Sequence, residues 1–143
     1  MKKTTPDPPD PPFPTNNTCP FCNPDLPGII QSSDLAVAIW DAFPASEGHA
    51  LVMPRRHITS LHEATPMEHN ALFSILREVR AQLQGQHRTD GFNIGINEGQ
   101  AAGQTVPHLH IHLIPRYMGD VSAPAGGVRG VIPHKRSYKS IRE

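Results

Sequence analysis

The clearest periodic pattern in the chain lies at residues 65–84, and it predicts one long amphipathic helix. Thr65, Pro66 and Glu68 suit the cap, the first turn and the capping box of a helix start. Apolar residues then recur at helical spacing, and they are Leu72, Ile75, Leu76, Val79 and Leu83. Gly85 is expected to end the helix.

Four short apolar segments predict β-strands, because each is rich in residues that favour extended structure. They are residues 35–40, 49–53, 91–97 and 106–115. The last two are expected to pair as a hairpin across the Gly- and Ala-rich loop between them. A weaker β-like segment lies at 130–132. One helix and a sheet of this kind predict an α+β fold with a five-stranded antiparallel sheet.

The two ends of the chain differ in composition from its middle. Residues 1–18 hold six of the 16 prolines and are expected to form a disordered tail. Residues 119–143 are rich in Gly and Pro, and from Arg129 onward they carry five basic residues and one acid. This basic extension could meet an anion. A single domain is expected at 19–118, because a chain of 143 residues holds one domain.

Composition also excludes some classes of partner. The 13 Lys and Arg residues are balanced by 13 Asp and Glu residues, so no global basic field points to nucleic acid. No apolar run approaches the roughly 20 residues of a membrane span. The polar start does not resemble a secretory signal. We therefore expect a cytoplasmic protein in a reducing compartment, where Cys19 and Cys22 favour metal or redox chemistry over a disulfide.

Three histidines alternate with aliphatic residues in the last predicted strand, as His108-Leu109-His110-Ile111-His112. Strand side chains alternate between faces, so the histidines share one face, with neighbours about 6.6 Å apart. A neutral imidazole can attack phosphorus and form a covalent intermediate, while its neighbours stabilise phosphoryl oxygens or assist the leaving group. The same face could instead hold a catalytic zinc ion, or the histidines could have only structural roles.

The alternation resembles the signature of the histidine triad (HIT) superfamily, in which three histidines alternate with hydrophobic residues. Two other segments are similar to that family. They are Gly48-His49-Ala-Leu-Val-Met-Pro54-Arg-Arg-His57, and Asn97-Glu98-Gly99 followed by Gly103-Gln104-Thr105. The resemblance extends from about residue 19 to residue 117. It implies a HIT-like, homodimeric α+β fold that hydrolyses or transfers nucleoside monophosphates.

The resemblance also implies a role for each matching residue. His110 would be the catalytic nucleophile, and His112 would contact the phosphate and the leaving group. His108 would be an inner histidine, and His49 would support the triad from the neighbouring strand. The implied nucleotide-binding residues are His110, His112, Asp41 at the ribose, and Asn97, Gln104 and Thr105 at the phosphate, with Ile39 and Phe43 near the base. Asp41, Asn97 and Thr105 also have ordinary interpretations as strand-end, turn and β-forming residues.

Cys19-x-x-Cys22 by itself supplies only half of a zinc site, so free thiols and a redox pair are alternatives. Some bacterial members of the HIT superfamily resemble this chain in having an N-terminal C-x-x-C. There, the histidine of P-x-x-H and the first triad histidine complete a structural zinc site. The resemblance thus implies that Cys19, Cys22, His57 and His108 form a closed Cys₂His₂ site. The residues require no catalytic metal.

The leading hypothesis is a hydrolase or transferase that acts on an adenosine- or guanosine-type nucleotide at its α-phosphate. Nucleoside phosphoramidates suit the Hint-like branch of the family, and dinucleoside polyphosphates suit the Fhit-like branch. Thr105 after Gln104 and the basic extension favour the second class slightly. A nucleotide-binding module with little activity remains an alternative. A metal-dependent hydrolase is another, with Glu98 as the only nearby carboxylate base.

Overall fold

The computed structural model describes residues 19–23 and 25–137. They form a five-stranded sheet and one long helix. The elements are β1 (Ile29–Ser32), β2 (Ala36–Trp40), β3 (Ala50–Pro54), α1 (Pro66–His87), β4 (Gly91–Ile96) and β5 (Ile111–Arg116). The strand order is β1-β2-β3-β5-β4, and every neighbouring pair is antiparallel. The predicted α+β fold is therefore confirmed, while the predicted disordered tail at 1–18 lies outside the described residues.

The helix begins as the sequence indicates and ends later than predicted. The Thr65 side chain accepts a hydrogen bond from the Glu68 backbone N–H, and the Glu68 carboxylate accepts one from the Thr65 N–H. The helix continues past Gly85 and ends at His87, and the capping residue Arg88 has a φ of 49°. A glycine costs a helix only about 1 kcal/mol, so tertiary contacts decide where the helix stops. Within the described residues, no helix has both the length and the apolar character that crossing a membrane requires.

The two faces of the sheet are covered differently. The helix packs on one face and closes the main core, which includes Leu72, Val79, Leu109, Ile111 and Leu113. The opposite face carries a smaller cluster around Val37, Ile39, Leu51 and Met53. Phe21 and Leu26, from the segment that precedes β1, pack against this cluster. The N-terminal segment therefore covers the β2–β3 side of this face.

Three strand predictions need correction. The strand β1 was not predicted, because its apolar pair Ile29–Ile30 is short and follows a Pro-rich turn. The last strand begins at Ile111 instead of residue 106, because the register with β3 extends only to the Val52–Ile111 pair. Residues 130–132, predicted as β-like, belong to a 3₁₀ turn at Gly127–Val131 and its cap.

Candidate active site and metal centre

The three alternating histidines do share one face, although only His112 lies within a strand. Leu109, Ile111 and the following Leu113 point into the helix-side core, so the histidines point to the opposite side. His108 is 0% exposed and His110 is 7% exposed. His112 is half-buried. The face is thus formed as predicted, and solvent access increases along it.

His110 has one ring nitrogen bound to the backbone. Its Nδ1 lies 2.7 Å from the carbonyl oxygen of His108. Since a carbonyl oxygen can only accept a hydrogen bond, Nδ1 carries the proton and the Nε2 atom of the neutral ring carries the lone pair. This is the tautomer in which Nε2 can act as a nucleophile.

A second hydrogen-bonded chain fixes the tautomer of His112. The backbone N–H of Ala45 donates to Nδ1 of His49 at 2.9 Å, so the proton of neutral His49 is on Nε2. That Nε2 lies 3.0 Å from Nδ1 of His112, which therefore accepts. Neutral His112 then carries its own proton on Nε2. A single backbone amide in the 41–49 connector thus makes His112 a hydrogen-bond donor.

Burial keeps these two histidines neutral. Desolvation, followed by the proximity of His110 and His49, lowers the pKa of His112 to about 4. Burial also lowers the pKa of His49, although the Asp41 carboxylate opposes this effect. At neutral pH, His112 can therefore donate a hydrogen bond without carrying a charge.

Asp41 lies just after β2 and faces the His49–His112 pair. One carboxylate oxygen accepts from the Phe43 backbone N–H at 2.9 Å, and the other lies 3.4 Å from Nε2 of His49. The structure separates the two residues predicted near a base, because Ile39 is 5% exposed and Phe43 is 90% exposed. Asp41 was predicted only as a ribose-binding residue, and the structure adds a contact between its carboxylate and His49.

The loop between β4 and β5 holds the three residues predicted at the phosphate. Gln104 is buried, accepting from the Gly99 N–H at 2.8 Å and donating to the Thr59 carbonyl at 3.0 Å. Its side chain therefore closes the loop against the segment before the helix. Asn97 is half-buried and Thr105 is exposed.

A cleft of about 540 Å³ opens beside His112, between β4, β5 and the C-terminal segment. His49, His112 and Asn97 line it, and Arg136 is among the lining residues from the C-terminal segment. Four other polar residues line the cleft and were not predicted from the sequence, and they are Ser46, Asn93, Arg116 and Asp120. For Asn93 and Arg116 the available signal was strand alternation, because Asn93 and Gly95 pair with Ile114 and His112 on the same face.

At the other end of the histidine face, four potential metal ligands converge. The Sγ atoms of Cys19 and Cys22 and one ring nitrogen each from His57 and His108 lie within 4.8 Å of one another. Nδ1 of His108 is 3.5 Å from both sulfur atoms, and Nδ1 of His57 is 3.1 Å from the sulfur of Cys22. Nε2 of His108 lies 2.7 Å from the Pro54 carbonyl, which leaves the Nδ1 lone pair facing the sulfurs. This donor set fits tetrahedral zinc.

The surroundings of Cys22 favour its protonated thiol. Burial and the adjacent Cys19 raise the pKa of the Cys22 thiol to about 11. A divalent cation between the sulfurs would reverse that effect and favour the thiolates. The Arg56 guanidinium makes two hydrogen bonds to Glu68, at 2.6 and 3.2 Å, and fixes the backbone beside His57 to the start of the helix.

A second grouping of possible ligands is less suitable for a metal. Asp41, His49 and His112 also have donor atoms within 4.8 Å of one another. However, the Ala45 N–H requires the proton of His49 to lie on Nε2, the atom that would have to bind the ion. The triad nitrogens also diverge, since the ring atoms of His108 face sulfur and a carbonyl. The geometry therefore gives no support to a catalytic metal on the three triad histidines.

The HIT domain family model matches residues 27–119. The chain is 38% identical over 94 residues to a bis(5'-nucleosyl)-tetraphosphatase (asymmetrical) of Schizosaccharomyces pombe, covering 66% of this chain and 52% of that protein. It is 35% identical over 104 residues to an adenylylsulfatase of Arabidopsis thaliana, covering 70% and 53% of the two chains. It therefore spans about half the length of these two relatives.

Solved structures resemble the fold as well. A zinc-bound histidine triad family protein from Mycobacterium smegmatis has a TM-score of 0.68 and 32% identity, covering 75% of this chain and 81% of that one. The family model covers the sheet, the helix and the histidine face, and the relatives agree with it in sequence and in fold. The chain therefore belongs to the HIT domain family, whose characterised relatives act on nucleotides.

Proposed function

We propose that this protein is a nucleotide hydrolase or transferase that works through a nucleotidyl-histidine intermediate on His110. The observation that carries the proposal is the 2.7 Å contact between Nδ1 of His110 and the His108 carbonyl. It leaves a nucleophilic Nε2 atom beside His112, on a rigid and largely buried face. The lone pair of Nε2 attacks the α-phosphorus, and the bond between phosphorus and the leaving group breaks. Water then cleaves the phosphorus–nitrogen bond.

The neighbours of His110 have separate roles in this scheme. The Nε2–H of His112 donates to the phosphate or to the departing atom, where negative charge develops. His49 holds His112 in this tautomer. Asn97 binds a phosphoryl oxygen at the edge of the cleft, and Thr105 adds a hydroxyl donor. Gln104 contributes by holding the loop closed, since two of its polar groups are already bound to the backbone.

Asp41 completes the proposed nucleotide site. Its carboxylate lies after β2 and accepts a hydrogen bond from a ribose hydroxyl of an adenosine- or guanosine-type nucleotide. The candidate substrates are dinucleoside polyphosphates and nucleoside phosphoramidates. A relative named as a tetraphosphatase and another named as an adenylylsulfatase support cleavage next to a nucleotidyl group.

We also propose that Cys19, Cys22, His57 and His108 hold a structural zinc ion. Zinc would supply a cross-link between the N-terminal turn and the end of the histidine face, and no catalytic step passes through it. A homodimer belongs to the same proposal. β4 is an edge of the sheet, and its Ile94 is 42% exposed, so this edge offers a surface for a second copy.

The proposal is tested by trapping the intermediate. The protein is mixed with diadenosine tetraphosphate or adenosine phosphoramidate, quenched under basic conditions and digested for mass spectrometry. We expect an adenosine monophosphate adduct on the peptide that carries His110. Turnover without any adduct, or an adduct on another residue, would contradict the mechanism. Binding without turnover of either substrate would favour the nucleotide-binding module.

A further inference from the structure

The loop between β4 and β5 keeps its shape through bonds within itself. Gly99 and Gly103 have φ angles of 84° and 89°, which bend the chain on each side of the short turn at Gln100–Ala102. The Gln104 N–H donates to the Gly99 carbonyl at 3.1 Å, and the Gln104 side-chain oxygen accepts from the Gly99 N–H at 2.8 Å. These contacts close the loop, but they do not fix where it lies relative to the histidine face.

Two hydrogen bonds fasten this loop to the segment that precedes α1. The side-chain amide of Gln104 donates to the Thr59 carbonyl at 3.0 Å. The backbone N–H of Leu61 donates to a carboxylate oxygen of Glu98 at 2.6 Å. Glu98 directly follows Asn97 in the chain, so this second anchor lies one residue from the proposed phosphate ligand.

The Leu61 peptide unit is itself fixed to the helix. Nε2 of His69 lies 2.8 Å from the Leu61 carbonyl oxygen, and the histidine donates because that oxygen can only accept. His69 belongs to α1 and is half-buried. Leu61 thus accepts a hydrogen bond from His69 and donates one to Glu98. Asn97 is therefore connected to the helix through Glu98, Leu61 and His69.

The same contact decides between two roles for the Glu98 carboxylate. By sequence, it is the only carboxylate near the histidines that could act as a base in a metal-dependent reaction. In the folded chain, it accepts from a backbone amide, is exposed and does not line the cleft beside His112. This carboxylate therefore holds the loop and lies outside the lining of the cleft.

We propose that Glu98 is a positioning residue, which holds Asn97 against the phosphate through its hydrogen bond to the Leu61 N–H. The inference rests on the proposed function and adds to it a residue that touches no substrate atom. Displacement of a contacting group by about 1 Å can lower a rate about 100-fold, so an anchor one residue away affects the reaction. A carboxylate suits this task because a hydrogen bond to a charged acceptor is stronger than one to a neutral acceptor.

The test separates the phosphate from the rest of the nucleotide. Adenosine monophosphate carries the phosphate that Asn97 contacts, and adenosine does not. We expect Glu98→Ala to weaken binding of adenosine monophosphate about tenfold, as for the loss of one hydrogen bond, and to change adenosine binding by no more than about twofold. Isothermal titration calorimetry measures both affinities. In steady-state kinetics, kcat/KM for diadenosine tetraphosphate and for adenosine phosphoramidate should fall about tenfold alike, because both substrates carry an α-phosphate.

Two further variants show whether the effect passes through the loop. Glu98→Gln keeps an oxygen that can accept from the Leu61 N–H, so it should restore most of the affinity. Asn97→Ala removes the ligand that Glu98 holds, so adding Glu98→Ala to it should cost no more than about a further twofold. Glu78→Ala is the matched control and should change neither affinity nor rate, because it removes an exposed carboxylate that bonds to Gln31 of β1.

Circular dichroism checks that each variant is folded. Unchanged binding in Glu98→Ala, equal losses for adenosine monophosphate and adenosine, failure of Glu98→Gln to restore binding, or fully additive losses in the double variant would overturn the proposal. Wild-type protein that binds adenosine monophosphate but turns over neither substrate would instead contradict the proposed function. The binding comparison would still decide the role of Glu98 in that case.

Discussion

The two ends of the histidine face carry the same residue type and differ in every contact that decides its chemistry. At one end, both ring nitrogens of His108 are engaged, by cysteine sulfur and by the Pro54 carbonyl. At the other end, one nitrogen of His112 is bound by His49, and the ring lines an open cleft. Alternation along the chain places the three histidines on one face, whereas contacts with neighbouring segments determine which ring nitrogen of each histidine is engaged.

His110 lies between these two ends and is connected to both. Its Nδ1 binds the backbone carbonyl of His108, and its ring centre is 5.1 Å from that of His112. Phe21, from the turn between the two cysteines, contacts the rings of His108 and His110 edge-on, with centres 5.9 and 5.2 Å away. Phe21 therefore connects the Cys₂His₂ cluster to the ring of His110, and His112 connects that ring to the cleft.

The largest expected effect comes from His110 itself. Asparagine keeps a polar side chain of similar size but cannot form the nucleotidyl intermediate. We expect His110→Asn to lower kcat by at least about 10³-fold, while circular dichroism and melting temperature stay close to those of the wild type. The exposed His62→Asn is the matched control and should keep full activity. Residual turnover near the wild-type rate would exclude His110 as the nucleophile.

Substitutions in the cluster of Cys19, Cys22, His57 and His108 should change the stability of the fold more than the reaction rate. We expect about one zinc per chain in protein purified without a His-tag, and Cys22→Ser should lose the metal and several degrees of melting temperature. His112→Asn should keep the zinc, because His112 lies outside the four-residue cluster. Metal analysis and thermal melts measure both effects. Less than about 0.2 zinc per chain in a gentle preparation would refute a structural zinc site.

At the end of the histidine face beside the cleft, substitutions should change kcat. His49→Asn removes the donor that fixes His112, so His112 no longer has a preferred tautomer. We expect kcat to fall about 10- to 100-fold, with a much smaller change in KM. Steady-state kinetics on one substrate measure this split. A rise in KM at constant kcat would mean that His49 acts through substrate binding instead.

The smallest expected effect is a pH dependence of stability. The pKa of His112 in the folded protein is lowered to about 4. As the pH falls, His112 is therefore protonated in the unfolded chain before it is protonated in the folded protein. The contribution of neutral His112 is fully present above about pH 6.5 and is lost as the pH falls towards 4. Denaturant unfolding at several pH values should show a shallower loss for His112→Asn than for the wild type. Identical slopes would contradict the pKa shift.

The sequence by itself determined the long helix, three of the strands and the common face of the three histidines. Helix periodicity with a capping box located α1, and three of the four predicted strand segments lie within about one residue of β2, β3 and β4. The histidine alternation also predicted which side chains share a face. These features depend on local periodicity, which a single sequence records directly.

Only the tertiary structure decided what each histidine contacts. The proton on His112 depends on the Ala45 amide, and the Nδ1 atom of His108 depends on a turn 86 residues away at Cys22. The position of Arg136 depends on the space left by Gly126. Hydrogen bonding and close packing act between segments that are distant along the chain. A pattern of residue types does not encode their distances, and folding brings them together.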